Sequence, residues 1–465
     1  MDFSTTLKRF GVEQLIRYLH KDPEKNMLRL MDWADKFAKG EFVSQRKLIR
    51  EAISNPAHPY YPFVRRLFTD LDEGVMQAMA ANFFINAALM GWPKQEELRK
   101  KYGCNIPWTI LLDPTSACNL HCTGCWAAEY GNKLNLTFDE IDNIIQQGKA
   151  LGIYMYIYTG GEPLVRKKWT LSACARSTAE LRTFWCFTNA TLIDEAFADE
   201  MHAGEKPLVP AYLSWKGLKD ATDSRRGTGV YQKVIDAIGL LRRKKLLYGI
   251  SACYTSANFD SITSEAFFDK LIELGVYFIW YFHYMPVGND ASPALLPTPE
   301  QRIETYRRIR KYRAEKPLFA MDFQNDAEFV DGCIAGGRRY LHINANGDVD
   351  PCVFVHYSDS NIREKTLLQA LQSPMMMAYH DGQPFNENML RPCPMLENPE
   401  KLRAMVNASG AHSTDLQSPE SVEHLCAKCD QYAAHWKHPS EELWKQNRAE
   451  REAQKAAEIR EEPGA

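Results

Sequence analysis

From residue 108 onward the chain repeats one unit: a short apolar run rich in branched and aromatic residues, a loop, then a stretch with helical periodicity. The runs are Thr109–Leu112, 153–158, Thr183–Thr188, Leu208–Ser214, 248–254 and 276–284. The helical stretches lie near 139–151, 169–180, 194–202, 231–244, 264–274 and Pro299–Glu315. Strands alternating with helices specify a parallel sheet, because a crossover segment is needed to return the chain in the same direction. Six such units predict an α/β fold, a partial (β/α)6 TIM-like barrel. Parallel barrels collect their chemistry at the C-terminal ends of the strands.

Two of those ends carry chemistry-bearing residues. After the first strand come Cys118, Cys122 and Cys125, spaced C-x3-C-x2-C and followed by Trp126. Three thiolates so close share one metal centre or are reduced bystanders, and thiolates suit zinc or an iron–sulfur cluster. Structural zinc wants four protein ligands, and His121, between the first two cysteines, would be cramped in a tetrahedral wrap. A four-iron cluster held by three cysteines leaves one iron open, and the spacing favours it. After the second strand come Gly160, Gly161, Glu162 and Pro163. Two glycines let a ligand approach the backbone, beside a carboxylate ready for a cation.

The cysteine loop with its aromatic neighbour, followed by Gly-Gly-Glu-Pro, resembles the radical S-adenosylmethionine (SAM) enzymes. The resemblance implies that Cys118, Cys122 and Cys125 hold a 4Fe–4S cluster whose open iron is chelated by the methionyl amine and carboxylate of SAM. One electron then cleaves the sulfonium to a 5′-deoxyadenosyl radical. It implies that Glu162, in Gly160-Gly161-Glu162-Pro163, helps to hold the amine. Ser214 falls where relatives meet the cofactor ribose or methionyl group. Lys216 replaces the usual acid there, with Trp215 read as covering the site instead. Arg226 matches an arginine that pairs with the cofactor carboxylate, the competing reading being a surface salt bridge. Asn189 and residues 285–288 are expected to frame the adenosine.

The last third holds a second thiol set. Cys333 is followed by thirteen residues, Gly347, four residues and Cys352, and then by Cys393, Cys426 and Cys429. This resembles the SPASM or twitch extension, which implies at least one auxiliary iron–sulfur cluster. The turn at 344–348 contains Asn-Gly and predicts a hairpin. His435 and His438 stand near where relatives carry two more cysteines, so His435 is a candidate substitute ligand. A zinc ribbon is the alternative use of the same set.

At 465 residues the chain exceeds one ordinary core. The patterns divide it into an N-terminal helical domain (1–103), the barrel (104–316), a small cysteine-rich α+β domain (317–440) and a charged helical or disordered tail (441–465). Residues 75–92 are uncharged, stop at Gly91-Trp92-Pro93, and read as a helix buried in protein, because Gln77, Asn82 and Asn86 are costly in lipid. A membrane surface is the less favoured partner. A net charge of -3 supplies no field for nucleic acid. Twelve cysteines without a secretory signal indicate a reducing compartment, the cytoplasm. Cys174, Cys186 and Cys253 sit in apolar patterns and read as buried structural thiols. Tyr154, Tyr156 and Tyr158 share a face, with Tyr158 near enough to the glycine turn to touch substrate.

The resemblance implies an enzyme that abstracts hydrogen from a substrate carbon after reduction by a ferredoxin or flavodoxin. Peptide or protein maturation is the leading substrate reading and lipid-chain modification or coupling the second. An iron–sulfur electron carrier or metal scaffold is the non-enzymatic rival, which leaves the glycine turn unexplained.

Overall fold

The computed structural model describes residues 11, 14–37, 43–167, 183–202, 208–215, 217–288 and 291–461. The expected helix at 169–180, Cys174 and Lys216 lie outside them. Six strands run in chain order: β1 (Thr109–Leu112), β2 (Met155–Tyr158), β3 (Thr183–Thr188), β4 (Leu208–Ser214), β5 (Gly249–Tyr254) and β6 (Phe278–His283). Each pairs in parallel with the next, with β1 and β2 in the register Thr109↔Met155 to Leu112↔Tyr158.

The sheet continues past the six expected strands. β7 (Phe319–Asp322) joins the β6 edge in parallel. β8 (Tyr340–Ile343) joins the β1 edge in parallel, and β9 (Val349–Asp350) closes the anticipated hairpin onto it. The order is therefore β7-β6-β5-β4-β3-β2-β1-β8-β9. Both edges of the half-barrel are capped by the cysteine-rich segment, which satisfies backbone groups that an open edge would leave unpaired.

Strand parity sorts the core into two layers. Ile110, Leu112, Tyr156, Tyr158, Phe184 and Ile250 face outward into one buried cluster with the crossover helices. Leu111, Met155, Ile157, Trp185 and Phe278 face inward into a second cluster shared with Cys352, Tyr379, Cys426 and Cys429. Tyr158 thus belongs to the outer layer, stacked on Phe184 at 5.7 Å, and does not reach a substrate. The crossover helices start where their caps dictate. Thr137 and Glu140 form a capping box, as do Thr298 and Gln301 with Pro299 at the first turn.

The N-terminal segment is helical as expected: α1 (Pro23–Phe37), α2 (Val43–Ser54), α3 (Tyr61–Thr69) and α4 (Glu73–Met79) precede a π-helical stretch, Ala80–Gly91. The expected stop at Gly91-Trp92-Pro93 is a correction. The chain passes directly into α5 (Trp92–Tyr102), with Pro93 in its first turn, where its missing N–H leaves no hydrogen bond unmade. Asn82, Asn86 and Ala87 are buried, and Phe83 stacks on Trp185 at 5.7 Å. Trp108 Nε1 donates to the Ala87 carbonyl at 3.1 Å. The apolar stretch therefore closes the inner face of the sheet. Among the described residues no helix is long and apolar enough to cross a membrane.

At the other end, α14 (Val422–Glu461) is one continuous helix through Pro439, so the tail is helical rather than separate. Here α6 to α11 denote Phe138–Ala150, Glu195–His202, Lys219–Arg226, Val230–Arg243, Glu265–Glu273 and Pro299–Glu315, and α12 and α13 denote Pro374–Gly382 and Pro399–Ser409. Ser440, Leu443 and Asn447 are buried, which corrects the reading of 441–465 as merely solvated.

Candidate functional site

The cysteine loop leaves β1 and the glycine turn leaves β2, so the parallel register sets them side by side. Gly161 N donates to Thr115 O at 3.1 Å, and Glu162 N to Ala117 O at 2.8 Å. A Cβ on Gly160, whose φ is +99°, would sit 2.6 Å from Thr115 O, and one on Gly161 would overlap Ala117 O. The glycines are therefore required because the backbone of the cysteine loop approaches them, not only a ligand. Glu162 is buried and accepts from Thr188 Oγ1 at 2.7 Å, Asn189 N at 2.6 Å and Leu164 N at 3.0 Å. Burial pushes its carboxyl up, and those donors oppose the shift.

From α8, Arg225 clamps the same loop: Nε donates to Thr123 O at 3.0 Å and Nη2 to Gly124 O at 3.2 Å. Arg226 beside it is different. Its Nε and Nη1 are buried and have no hydrogen-bond partner among the described residues, and its charge faces Cys122, Cys125 and Glu162. Burial pushes its guanidinium down, and Cys122, Cys125 and Glu162 oppose the shift. The surface salt-bridge reading of Arg226 is thereby set aside.

Cys118, Cys122, Cys125, Gly160, Gly161, Glu162, Asn189, Ser214, Arg226 and Met285 line one cavity of about 1110 Å³. Pro163 lies just behind it, starting a short helical turn. Trp215 is buried in the outer layer against Phe267 and Tyr231, so it does not cover the site. Cys253 lines the cavity from the end of β5, which corrects its reading as a structural thiol, whereas Cys186 is buried in the outer layer as expected. Arg225 and Cys253 are the residues that sequence reasoning missed. The signal for Cys253 was parity, since Ser251, two residues earlier on the strand, also lines the cavity.

A second cavity of about 1210 Å³ is lined by Cys333, Cys352, Cys393, Tyr340 and Tyr379, and shares Met285 and Phe354 with the first. Cys426 and Cys429 are buried on α14 in the surrounding core. His435 and His438 are exposed on that helix, off the face that carries the two cysteines, so His435 is no substitute ligand. Among the described residues no three His, Cys, Asp or Glu side chains converge on a single ion.

The donor set fits an iron–sulfur cluster at both places. Leu120 N donates to Cys118 Sγ at 3.4 Å, Phe354 N to Cys352 Sγ at 3.5 Å and Leu396 N to Cys393 Sγ at 3.3 Å. Such amide donors stabilise thiolate charge. Burial raises the free thiols, Cys118 to about 11 and Cys333 to about 12, so without a metal they stay neutral.

Between the two cavities lies a buried polar network. His342 Nε2 is 3.0 Å from Asp113 Oδ2 and Nδ1 is 3.2 Å from Asp350 Oδ2, with the edge of Trp126 packed nearby at 5.7 Å. Burial opposes the imidazolium, but the two carboxylates outweigh it and raise His342 to about 10. A raised folded pKa gives stability that is full below the unfolded value and lost as pH rises through the folded one. The apo protein should therefore lose up to ~1.4 kcal/mol per pH unit from about 6.5 toward 10 through this residue. Urea unfolding across that range should show a steeper decline for the wild type than for H342Q; parallel curves would refute it.

A barrel edge that joins buried thiols, a glycine turn and an unsatisfied arginine defines an iron–sulfur site built to receive a charged cofactor. Residues 112–265 match the radical SAM superfamily and residues 333–395 match an iron–sulfur cluster-binding domain, SPASM. The GTP 3′,8-cyclase of Clostridium perfringens is 32% identical over 58% of this chain and 86% of its own. The AdoMet-dependent heme synthase of Methanosarcina barkeri is 24% identical over 56% of this chain and 81% of its own. The PqqA peptide cyclase of Gluconobacter oxydans is 24% identical over 66% and 89%. The structure of Streptococcus suis SuiB bound to S-adenosylmethionine superposes with a TM-score of 0.55 at 19% identity, covering 77% of this chain and 93% of that one. The chain belongs to the radical SAM superfamily, with a SPASM domain. It is an enzyme whose domains carry a 4Fe–4S cluster, SAM and auxiliary iron–sulfur binding, and the pure electron-carrier reading falls.

Proposed function

We propose that Cys118, Cys122 and Cys125 hold the 4Fe–4S cluster, that Gly160, Gly161, Glu162, Pro163, Ser214 and Arg226 hold SAM, and that the enzyme abstracts hydrogen from a peptide or protein substrate. The observation that carries the cofactor assignment is the buried, unpartnered Arg226 guanidinium across the cavity from Glu162. The amino-acid end of SAM bears one anion and one cation, and these two side chains are its complements. Glu162 accepts three hydrogen bonds, and a carboxylate has about four acceptor positions, so one is left for an ammonium.

When bound and reduced by a ferredoxin or flavodoxin, the cluster supplies the electron that cleaves SAM to methionine and the 5′-deoxyadenosyl radical. The chain's own share is positioning and exclusion of water. Phe187, Phe282, Met285 and Phe354 supply an apolar part of the cavity wall, which helps to exclude water. Cys333, Cys352, Cys393, Cys426 and Cys429 are the ligands assigned to the auxiliary cluster. The peptide reading is supported by the PqqA peptide cyclase relative. The apolar wall would also accept an acyl chain, so lipid is the second reading.

Reduced, reconstituted protein should form 5′-deoxyadenosine from SAM, and its absence would sink the assignment. Arg226→Met should weaken SAM binding by about 10- to 100-fold, the worth of a charge-assisted contact of ~1.5–3 kcal/mol. The same variant should melt no lower than wild type when cofactor-free, because it removes buried guanidinium nitrogens, Nε and Nη1, that make no hydrogen bond among the described residues. Isothermal titration and thermal scans read both effects. Deuterium transfer from labelled peptide pools or from labelled lipids into 5′-deoxyadenosine separates the two substrate readings.

A further inference from the structure

Two buried phenols meet at the second thiol set. Tyr340, on β8, has its hydroxyl 2.8 Å from Cys352 Sγ. Tyr379, on α12, is fully buried, and among the described residues its hydroxyl has no hydrogen-bond partner. Tyr379 lines the same cavity as Cys333, Cys352 and Cys393. Tyr340 in turn feels Cys352, Cys333 and Tyr379. The chain holds Tyr379 there rigidly: its ring meets Phe385 edge-on at 5.3 Å, and Gly336, at φ +62°, packs so closely that a Cβ would overlap the tyrosine.

A buried hydroxyl left unsatisfied costs on the order of 1–3 kcal/mol. Phenylalanine would fill the same space without that cost. A tyrosine persists at such a point when its O–H has an acceptor, and the acceptor-rich group that the thiols imply is an iron–sulfur cluster. Hydrogen bonds to cluster sulfur stabilise the more negative, reduced state and so raise the reduction potential.

We propose that Tyr340 and Tyr379 are a pair of phenol donors to the auxiliary cluster, which set its potential. The inference rests on the assignment of Cys333, Cys352 and Cys393 to that cluster. Tyr340 serves the Cys352 thiolate, and Tyr379 serves the cavity that it lines with the three thiols. Both tyrosines are positioning residues that act through the cluster and not on the substrate. Met285 and Phe354 line both cavities, which sets the auxiliary site next to that of the first cysteine set.

The test uses the full chain with Cys118, Cys122 and Cys125 replaced by Ala, so that only the auxiliary cluster is observed. Iron content is measured first, then the midpoint potential by titration followed with electron paramagnetic resonance, for this background and for added Y379F and Y340F. Both tyrosine variants should keep their iron and shift the midpoint to a more negative value, and the double variant should shift it further. In metal-free protein Y379F should raise the melting temperature, and that gain should disappear once the cluster is loaded. An unchanged midpoint with iron intact would overturn the proposal while leaving the auxiliary cluster in place. A background that binds no iron would overturn the cluster assignment and the proposal with it.

Discussion

Alanine at Cys118, Cys122 and Cys125 together should reduce reconstituted iron from roughly eight to about four per chain and abolish 5′-deoxyadenosine formation, with Mössbauer signals of the second cluster unchanged. The variant is expected to fold, because the cysteine loop is held by backbone contacts and not by its thiols. Gly161 N and Glu162 N bond to it from the glycine turn, and Arg225 bonds to Thr123 and Gly124. Thr123 N also donates to Arg225 O at 3.1 Å. Loss of the metal therefore leaves the cradle standing and removes only the ligand set. Iron that vanishes altogether would place the auxiliary thiols outside any cluster. Iron that stays at its full value would mean that the loop does not bind the first one.

How far the sequence announced this arrangement depended on whether the signal was local. Thr298-Pro299 with Gln301 is a capping box written in four residues, and the helix begins there as expected. The same is true of the hairpin at 344–348, where β8 and β9 meet in the register His342↔Asp350. β7 and β8 are strands of four residues each, flanked by turns, and nothing local in Phe319–Asp322 or Tyr340–Ile343 says that they extend a sheet begun at residue 109. Their pairing is decided by the two open edges of the half-barrel. Strand parity is legible in the sequence at β4 and β5. Ser214 lines the cavity, so Trp215 must face out, and Cys253 shares the inward parity of Ser251. The π-helical stretch at Ala80–Gly91 has no sequence signature, since its register is set by Phe83 on Trp185 and Trp108 on Ala87. His342 and Arg302 likewise became visible only once chain segments far apart in sequence were folded together.

Replacing Arg302 with alanine should cost about 3–5 kcal/mol of stability, the expected loss when one member of a buried ion pair is removed. Arg302 lies on α11 with no exposed side-chain surface, and its Nη1 is 2.7 Å from Glu397 Oε1, equally buried. It also donates to Asn325 Oδ1 at 2.9 Å, Leu390 O at 3.1 Å and Tyr432 Oη at 3.0 Å, and lies 4.3 Å over the Trp436 ring. One guanidinium thus ties the barrel helix to the turn after β7, to the 385–398 loop and to α14. Removing it strands Glu397, whose carboxyl burial already pushes up. Glu397 has a second duty, since its Oε2 accepts Cys393 N at 2.7 Å and so orients a candidate cluster ligand. The pair R302M/E397M should consequently recover much of the stability, because two apolar side chains of similar volume fill the space without charge. It should not recover iron at the auxiliary site, because the Cys393 amide has lost its acceptor. Urea unfolding of apo protein reads the first effect and iron per chain the second. Full iron retention in the double variant would show that the buried pair serves the junction between the barrel and the cysteine-rich segment and has no part in holding the cluster.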